Sequence, residues 1–171
     1  MDRRGFLTSF GKKIAKERGL FSYLYLPYIT EFSLIQEICK GCEKHCAKVC
    51  ETDVIVIKDD MPTLDMSKNG CTFCKKCAIV CTDNSMNVLD SNLEGNINIA
   101  INIKTLTCLS WNQTMCFICK DVCKFKAISF FGAFRPTIDE SLCRGCGMCI
   151  NICPSNAIEI SKIFSDLKER K

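Results

Sequence analysis

The sequence predicts an α+β protein made of two tandem lobes with an N-terminal extension, and three observations support this. All sixteen cysteines of the 171-residue chain fall into four quartets. The quartets repeat at a fixed period. Short apolar runs of strand length follow or flank them. The first quartet is Cys39, Cys42, Cys46 and Cys50, and the second is Cys71, Cys74, Cys77 and Cys81. The third is Cys108, Cys116, Cys119 and Cys123, and the fourth is Cys143, Cys146, Cys149 and Cys153, followed by Pro154.

The second and fourth quartets read C-x2-C-x2-C-x3-C, the run that holds iron–sulfur clusters in bacterial proteins. Two other cysteine chemistries compete with that reading. Disulfide frameworks belong to oxidising compartments and short secreted chains, and two- or three-residue gaps suit a disulfide poorly. Structural zinc prefers two CxxC pairs set well apart, often with histidine. Here three or four thiols crowd into about eleven residues, and His45 is the one histidine of the chain. A cuboidal cluster takes three thiolates from one tight loop and a fourth from elsewhere, and this spacing supplies both. Four quartets therefore imply four [4Fe–4S] clusters, with every cysteine a ligand.

The repeat sets the domain organisation. Cys50 to Cys123 is 73 residues and Cys81 to Cys153 is 72. Met61-Pro-Thr-Leu-Asp precedes the second quartet, and Arg135-Pro-Thr-Ile-Asp precedes the fourth. One structural unit is used twice, each unit carrying two cluster motifs as two-cluster ferredoxins do. The expected boundaries are residues 1–30 for the N-terminal extension, 31–92 and 93–161 for two ferredoxin-like lobes, and 162–171 for a C-terminal tail. Each cysteine-rich half has about sixty to seventy residues, too few for a generous apolar core. Clusters would act there as staples that replace core.

The elements follow in order. Runs at 54–57, 127–131 and 157–160 sit just after the last cysteine of a quartet and read as strands. Residues 96–104 alternate strictly and place Ile97, Ile99, Ile101 and Ile103 on one face, the pattern of a half-buried strand. Glu94-Gly95 is the expected turn before it. Residues 78–80 and 150–152 allow a helical turn between third and fourth ligand. Residues 161–171 read as a polar terminal helix. In two-cluster ferredoxins the fourth cysteine of each run ligates the other cluster. Applied here, that rule groups Cys39, Cys42 and Cys46 with Cys81, and Cys71, Cys74 and Cys77 with Cys50. It groups Cys108, Cys116 and Cys119 with Cys153, and Cys143, Cys146 and Cys149 with Cys123. Seven residues separate Cys108 from Cys116, so Cys108 is the ligand that spacing fixes least.

Charge excludes less than it suggests. The formal charge of +4 counts cysteines as neutral thiols. Each oxidised [4Fe–4S] centre with its thiolates carries roughly −2, so four would bring the loaded chain to about −4. The basicity is no argument for nucleic acid. No stretch is long and apolar enough for a transmembrane segment. There is no P-loop, no dinucleotide fingerprint and no Ser/His/Asp set, so the expected protein is not an enzyme in itself.

The start Met1-Asp-Arg-Arg-Gly-Phe-Leu-Thr, the four quartets, Phe134-Arg-Pro-Thr and the closing Cys143-Arg-Gly-Cys-Gly-Met-Cys-Ile-Asn-Ile-Cys-Pro together resemble the NapF family. These are ferredoxin-type accessory proteins of the periplasmic nitrate reductase system. The chain departs from that pattern in its wider first quartet and in lacking a proline after Cys81. The resemblance implies a cytoplasmic protein that contacts the precursor of the reductase catalytic subunit before export. There it would help the precursor acquire or reduce its own cluster. A general electron-transfer ferredoxin, or the electron-transfer subunit of a redox enzyme, is the alternative. A structural zinc-binding module is the third reading.

Residues 2–7, with Arg3 and Arg4, also resemble a twin-arginine export signal. Such a signal needs an apolar region soon afterwards, whereas residues 11–18 are strongly charged. The expectation is an uncleaved N-terminus on a cytoplasmic protein. Residues 21–30, rich in aromatics, read either as packing over the first lobe or as an exposed patch that docks a partner. His45 reads as an exposed loop residue, and Trp111 as packing against the third cluster loop.

Overall fold

Residues 24–164 are described by the computed structural model. Arg3, Arg4 and the rest of residues 1–23, and residues 165–171, lie outside the described residues.

The chain folds as two halves of parallel design. In the first, helix α1 (Phe32–Ile38) leads through a 3₁₀ turn (Cys39–Gly41) to the short helix α2 (His45–Lys48). A hairpin of β1 (Ile55–Lys58) and β2 (Met61–Leu64) follows, then helix α3 (Lys76–Asp83). In the second half, strand β3 (Ile99–Ile103) precedes helix α4 (Ile118–Val122). A hairpin of β4 (Ile128–Phe131) and β5 (Arg135–Ile138) follows, then helix α5 (Met148–Asn151) and strand β6 (Ile158–Ile163). Helix α2 packs on α3, and α4 on α5.

The hairpins account for the repeated Pro-Thr stretches. Each stretch is the return strand: Ile55 pairs with Leu64 and Ile128 with Ile138, both antiparallel. Pro62 and Pro136 lack an N–H, which a strand tolerates at an edge, and each of these sheets has only two strands. Asp59 and Asp60 close the first hairpin with φ of 50° and 60°. That two-residue left-handed turn matches strand twist, and aspartate tolerates the conformation. The second hairpin turns at Gly132, φ 64°, over three residues.

The two ends of the second half pair antiparallel, β3 with β6, from Ile99–Ile163 to Ile103–Ile158. A bulge between Ala100 and Ile101 accommodates Ser161, whose hydroxyl donates to the Ala100 carbonyl at 3.2 Å. Strand β6 therefore continues through Ile163 where polar residues suggested a helix. The alternation of β3 is real: Ile97, Ile99, Ile101 and Ile103 are all buried, with Asn102 exposed. The turn before it lies at Asp90–Leu93, where the Leu93 N–H meets the Asp90 carbonyl at 3.2 Å. Gly95 serves a different purpose, since a Cβ there would stand 2.4 Å from the Phe73 ring.

Most of residues 24–29 is core. Leu24, Leu26, Tyr28 and Ile29 are all buried. The Thr63 hydroxyl donates to the Leu24 carbonyl at 2.9 Å and accepts its N–H at 3.1 Å. Ile29 bridges Leu89, and the Asp90 N–H donates to the Tyr28 carbonyl at 2.8 Å. Of the two readings of the aromatic segment, packing holds for these residues; residues 21–23 lie outside the described part. A docking patch would need apolar surface in water, and this surface is already spent on the first half.

Asn98 joins three parts of the chain. It is fully buried, accepts the Tyr25 N–H at 2.9 Å and donates to the Phe164 carbonyl at 2.8 Å. The Phe164 N–H returns a bond to the Asn98 carbonyl at 2.7 Å. A buried amide survives only with such partners.

Candidate metal centres

The third cysteine of each quartet rides the first turns of a short helix: Cys46 on α2, Cys77 on α3, Cys119 on α4 and Cys149 on α5. In three of the four, the residue that caps the helix is left-handed: Lys44 at φ 56°, Lys75 at 66° and Gly147 at 75°. The C-x2-C-x2-C runs share two such positions. Gly145 and Gly147 in the fourth quartet stand where Phe73 and Lys75 stand in the second, and all four have φ between 55° and 75°. A phenylalanine in that region is strained. Its packing offsets the strain. Tyr28 donates its hydroxyl to the Phe73 carbonyl at 2.9 Å, and the ring lies edge-on to Tyr28 and Phe125 with centroids at 6.3 and 5.6 Å. Burial, then the nearby Cys71, Cys77 and Cys74, push the Tyr28 phenol up, so it stays a donor.

The fold brings cysteines of different quartets together. One apolar cavity is lined by Cys39, Cys42, Cys46 and Cys81, with Leu26, Ile35 and Val88 among its walls. A second is lined by Cys50, Cys71, Cys74 and Cys77, beside Tyr28 and Val54. In the second half, Cys149 is held near Cys146, Cys143 and Cys123, and Cys119 near Cys116 and Cys108. Cys153 meets the Ser155 hydroxyl at 3.7 Å and the Ala157 N–H at 3.3 Å, contacts that do not tie it to the trio of Cys108, Cys116 and Cys119. Among the described residues, no three His, Cys, Asp or Glu side chains form a set that could hold a single metal ion. The first-half thiols are ranged around the two cavities instead.

The loop from Cys108 to Cys116 is better fixed than its length implies. The Asn112 amide donates to the carbonyls of Cys108 at 2.8 Å and of Thr105 and Leu106 at 3.2 Å. Trp111 donates its indole N–H to the Pro136 carbonyl at 3.1 Å, which ties the loop to β5. His45 is not an exposed loop residue. It lies on α2, half-buried, at the wall of the first cavity, with Glu43 at 3.5 Å.

The electrostatics of the bare thiols set the chemistry. Burial first, then the neighbouring cysteines, push Cys46, Cys77 and Cys149 up to about 12, and Cys39, Cys71 and Cys119 up to about 11. Four thiolates around an apolar cavity repel one another and lose hydration. A polycationic iron core reverses that sign, because it pays for deprotonation with coordinate bonds. Cys50 and Cys153 differ. Burial raises them, but hydroxyl donors at Thr52 and Ser155 and adjacent backbone N–H groups outweigh it, so both lie below the ordinary thiol value. The Phe73 N–H also points at Cys71 Sγ, 3.4 Å away. Such N–H and O–H donors to sulfur favour the more negative state of a bound cluster. In the first half the thiols line two apolar cavities, with His45 at the wall of one, and that donor set fits [4Fe–4S] clusters.

Residues 136–159 match the family described as 4Fe-4S binding domain. The site and that match define the class: a ferredoxin-type iron–sulfur protein. Relatives extend the likeness to most of the chain. It is 32% identical over 150 residues to the ferredoxin-type protein NapF of Haemophilus influenzae, covering 85% of this chain and 80% of that protein. It is 27% identical over 164 residues to NapF of Escherichia coli K12, covering 91% and 92%. Over 168 residues it is 27% identical to the methylamine utilization ferredoxin-type protein MauM of Methylophilus methylotrophus, covering 86% and 74%. The chain belongs to the NapF family of ferredoxin-type proteins.

Among the described residues, no helix is long and apolar enough to cross a membrane.

Proposed function

We propose that the chain carries four [4Fe–4S] clusters in two tandem two-cluster ferredoxin lobes. In this reading it serves, in the cytoplasm, the precursor of the catalytic subunit of a periplasmic nitrate reductase, loading or reducing that subunit's cluster. Cys39, Cys42, Cys46 and Cys81 hold one cluster, and Cys50, Cys71, Cys74 and Cys77 its neighbour. Cys123, Cys143, Cys146 and Cys149 hold the third, and Cys108, Cys116, Cys119 and Cys153 the fourth. Each cluster, when bound, supplies one reversible electron. The protein's share is to hold the thiolates, keep water from the cavities through residues such as Leu26 and Val88, and tune the sulfurs through the N–H groups of Phe73 and Ala157. The observation that carries the maturation role is the likeness to NapF proteins over nearly the whole chain.

Tagged, anaerobically purified protein should capture the unexported reductase precursor and not the mature subunit. Equal capture of neither, with intact clusters, overturns the role. The similarity to a methylamine utilization ferredoxin-type protein supports a second reading, a general electron carrier. That reading predicts electron delivery to a soluble acceptor without stable capture.

A further inference from the structure

The two halves meet in part along a seam between the second and fourth quartets. The Cys71 N–H donates to the Cys146 carbonyl at 2.7 Å. Within the second half, the Ile97 N–H donates to the Arg144 carbonyl at 3.1 Å and Arg144 pairs with Glu94 at 2.7 Å, which braces the fourth quartet's side of the seam. The Asn151 amide reaches the Lys68 carbonyl. Phe73 of the second quartet stacks edge-on with Phe125 of the other half at 5.6 Å. Two glycines make the approach possible. A Cβ on Gly70 would lie 2.5 Å from the Met148 N and 2.7 Å from the Cys146 O, and one on Gly147 would lie 2.4 Å from the Met66 Sδ. Gly70 needs no unusual φ, so close approach of backbone to backbone is its role.

We propose that this seam is the electron crossing between the halves, and that it orders the sites in a line. The order runs from the set of Cys39, Cys42, Cys46 and Cys81 to the set of Cys50, Cys71, Cys74 and Cys77. It then crosses to the set of Cys123, Cys143, Cys146 and Cys149, and ends at the set of Cys108, Cys116, Cys119 and Cys153. The inference rests on the crossed ligation proposed above. Tunnelling falls steeply with distance and runs better through bonds than through gaps. Here a single hydrogen bond joins the backbone of one ligand, Cys71, to the backbone of another, Cys146. With clusters bound, one electron would cross per event, the giving site oxidised by one and the receiving site reduced by one, with no proton or covalent bond changed. The electron enters from an external low-potential one-electron donor. Gly70 is a positioning residue, since it acts through Cys71 and Cys146. The outer two sets then face partners, and the inner two face each other.

The test is Gly70→Ala in the full chain, purified anaerobically and given a sub-stoichiometric flash of one-electron reductant. Iron and labile sulfide are measured first, then the rates at which the electron spreads, followed by electron paramagnetic resonance. The expected result is wild-type iron and sulfide, unchanged spreading within each half, and a phase between the halves that slows several-fold. An unchanged inter-half phase in loaded Gly70→Ala overturns the proposal. If that variant fails to load, Phe125→Ala with Asn151→Ala loosens the same seam from its side chains and should slow the same phase to a smaller degree. No slowing there also overturns it. Wild-type protein that lacks four clusters would instead overturn the ligation reading, a failure seen in the iron analysis before any rate is measured.

Discussion

The two halves share one plan but close it differently. In the second half the outer ends pair as a sheet, β3 on β6, with a ladder from Ile99–Ile163 to Ile103–Ile158. In the first half the equivalent pairing shrinks to the single bridge of Ile29 with Leu89. The cause is local. Pro27 lacks an N–H, and Tyr28 sits at φ 70°, so residues 24–30 cannot run as a regular strand. Scattered backbone bonds, Leu64 to Leu24, Thr30 to Val88 and Asp90 to Tyr28, stand in for the ladder, and side chains add to them: the Thr63 hydroxyl on Leu24, the Thr30 hydroxyl on Val88 and the Tyr28 hydroxyl on Phe73. The second half is thus closed by a regular ladder, and the first by an irregular strap that side chains reinforce. Both closures bring cysteines of two quartets near one another.

The comparison can be broken at the strap. Deleting residues 1–30 strips Leu24, Leu26, Tyr28 and Ile29 from the core. The first half should then lose its iron while the second keeps it, leaving about half the wild-type iron per chain. Full retention of iron would mean the strap is dispensable. The sequence alone made residues 1–30 look like a separable extension; the burial of residues 24–29 reverses that expectation.

A smaller effect is expected at Asn98, which bonds to both closures. Asn98→Ala removes the side chain's bonds to the part-buried Tyr25 N–H and the buried Phe164 carbonyl, which should cost about 2–4 kcal/mol. The check is the denaturant midpoint for loss of cluster absorbance. A shift confined to one half's hydrogen exchange would show that Asn98 is not shared.

The smallest effect belongs to Tyr28→Phe, which removes one hydrogen bond to the Phe73 carbonyl and keeps the ring. It should cost about 1 kcal/mol. Hydrogen exchange should speed up around Phe73 and leave β3 and β6 as they were.

Much of this was legible in the sequence, for reasons that residues make plain. Sixteen cysteines at cluster spacing name their own chemistry. The Ile97 to Ile103 alternation showed its buried face because period two survives in a short strand. The return strands β2 and β5 were seen only as a repeated Pro-Thr motif, since proline argues against a strand and only an edge excuses it. The strained turns were available in principle: Gly145 and Gly147 align with Phe73 and Lys75, and the glycines mark left-handed positions that the larger residues hide. The seam was not available. Gly70, Met66 and Asn98 carry no pattern of their own, and their role depends on which halves touch. The Cys108 loop looked loose from its length, whereas Asn112 and Trp111 pin it by bonds that spacing does not reveal.

The most direct test of the account is elemental. Protein purified without oxygen should hold about sixteen iron and about sixteen acid-labile sulfide per chain, as the four proposed ligand sets of sixteen cysteines require. Zinc without labile sulfide would contradict it.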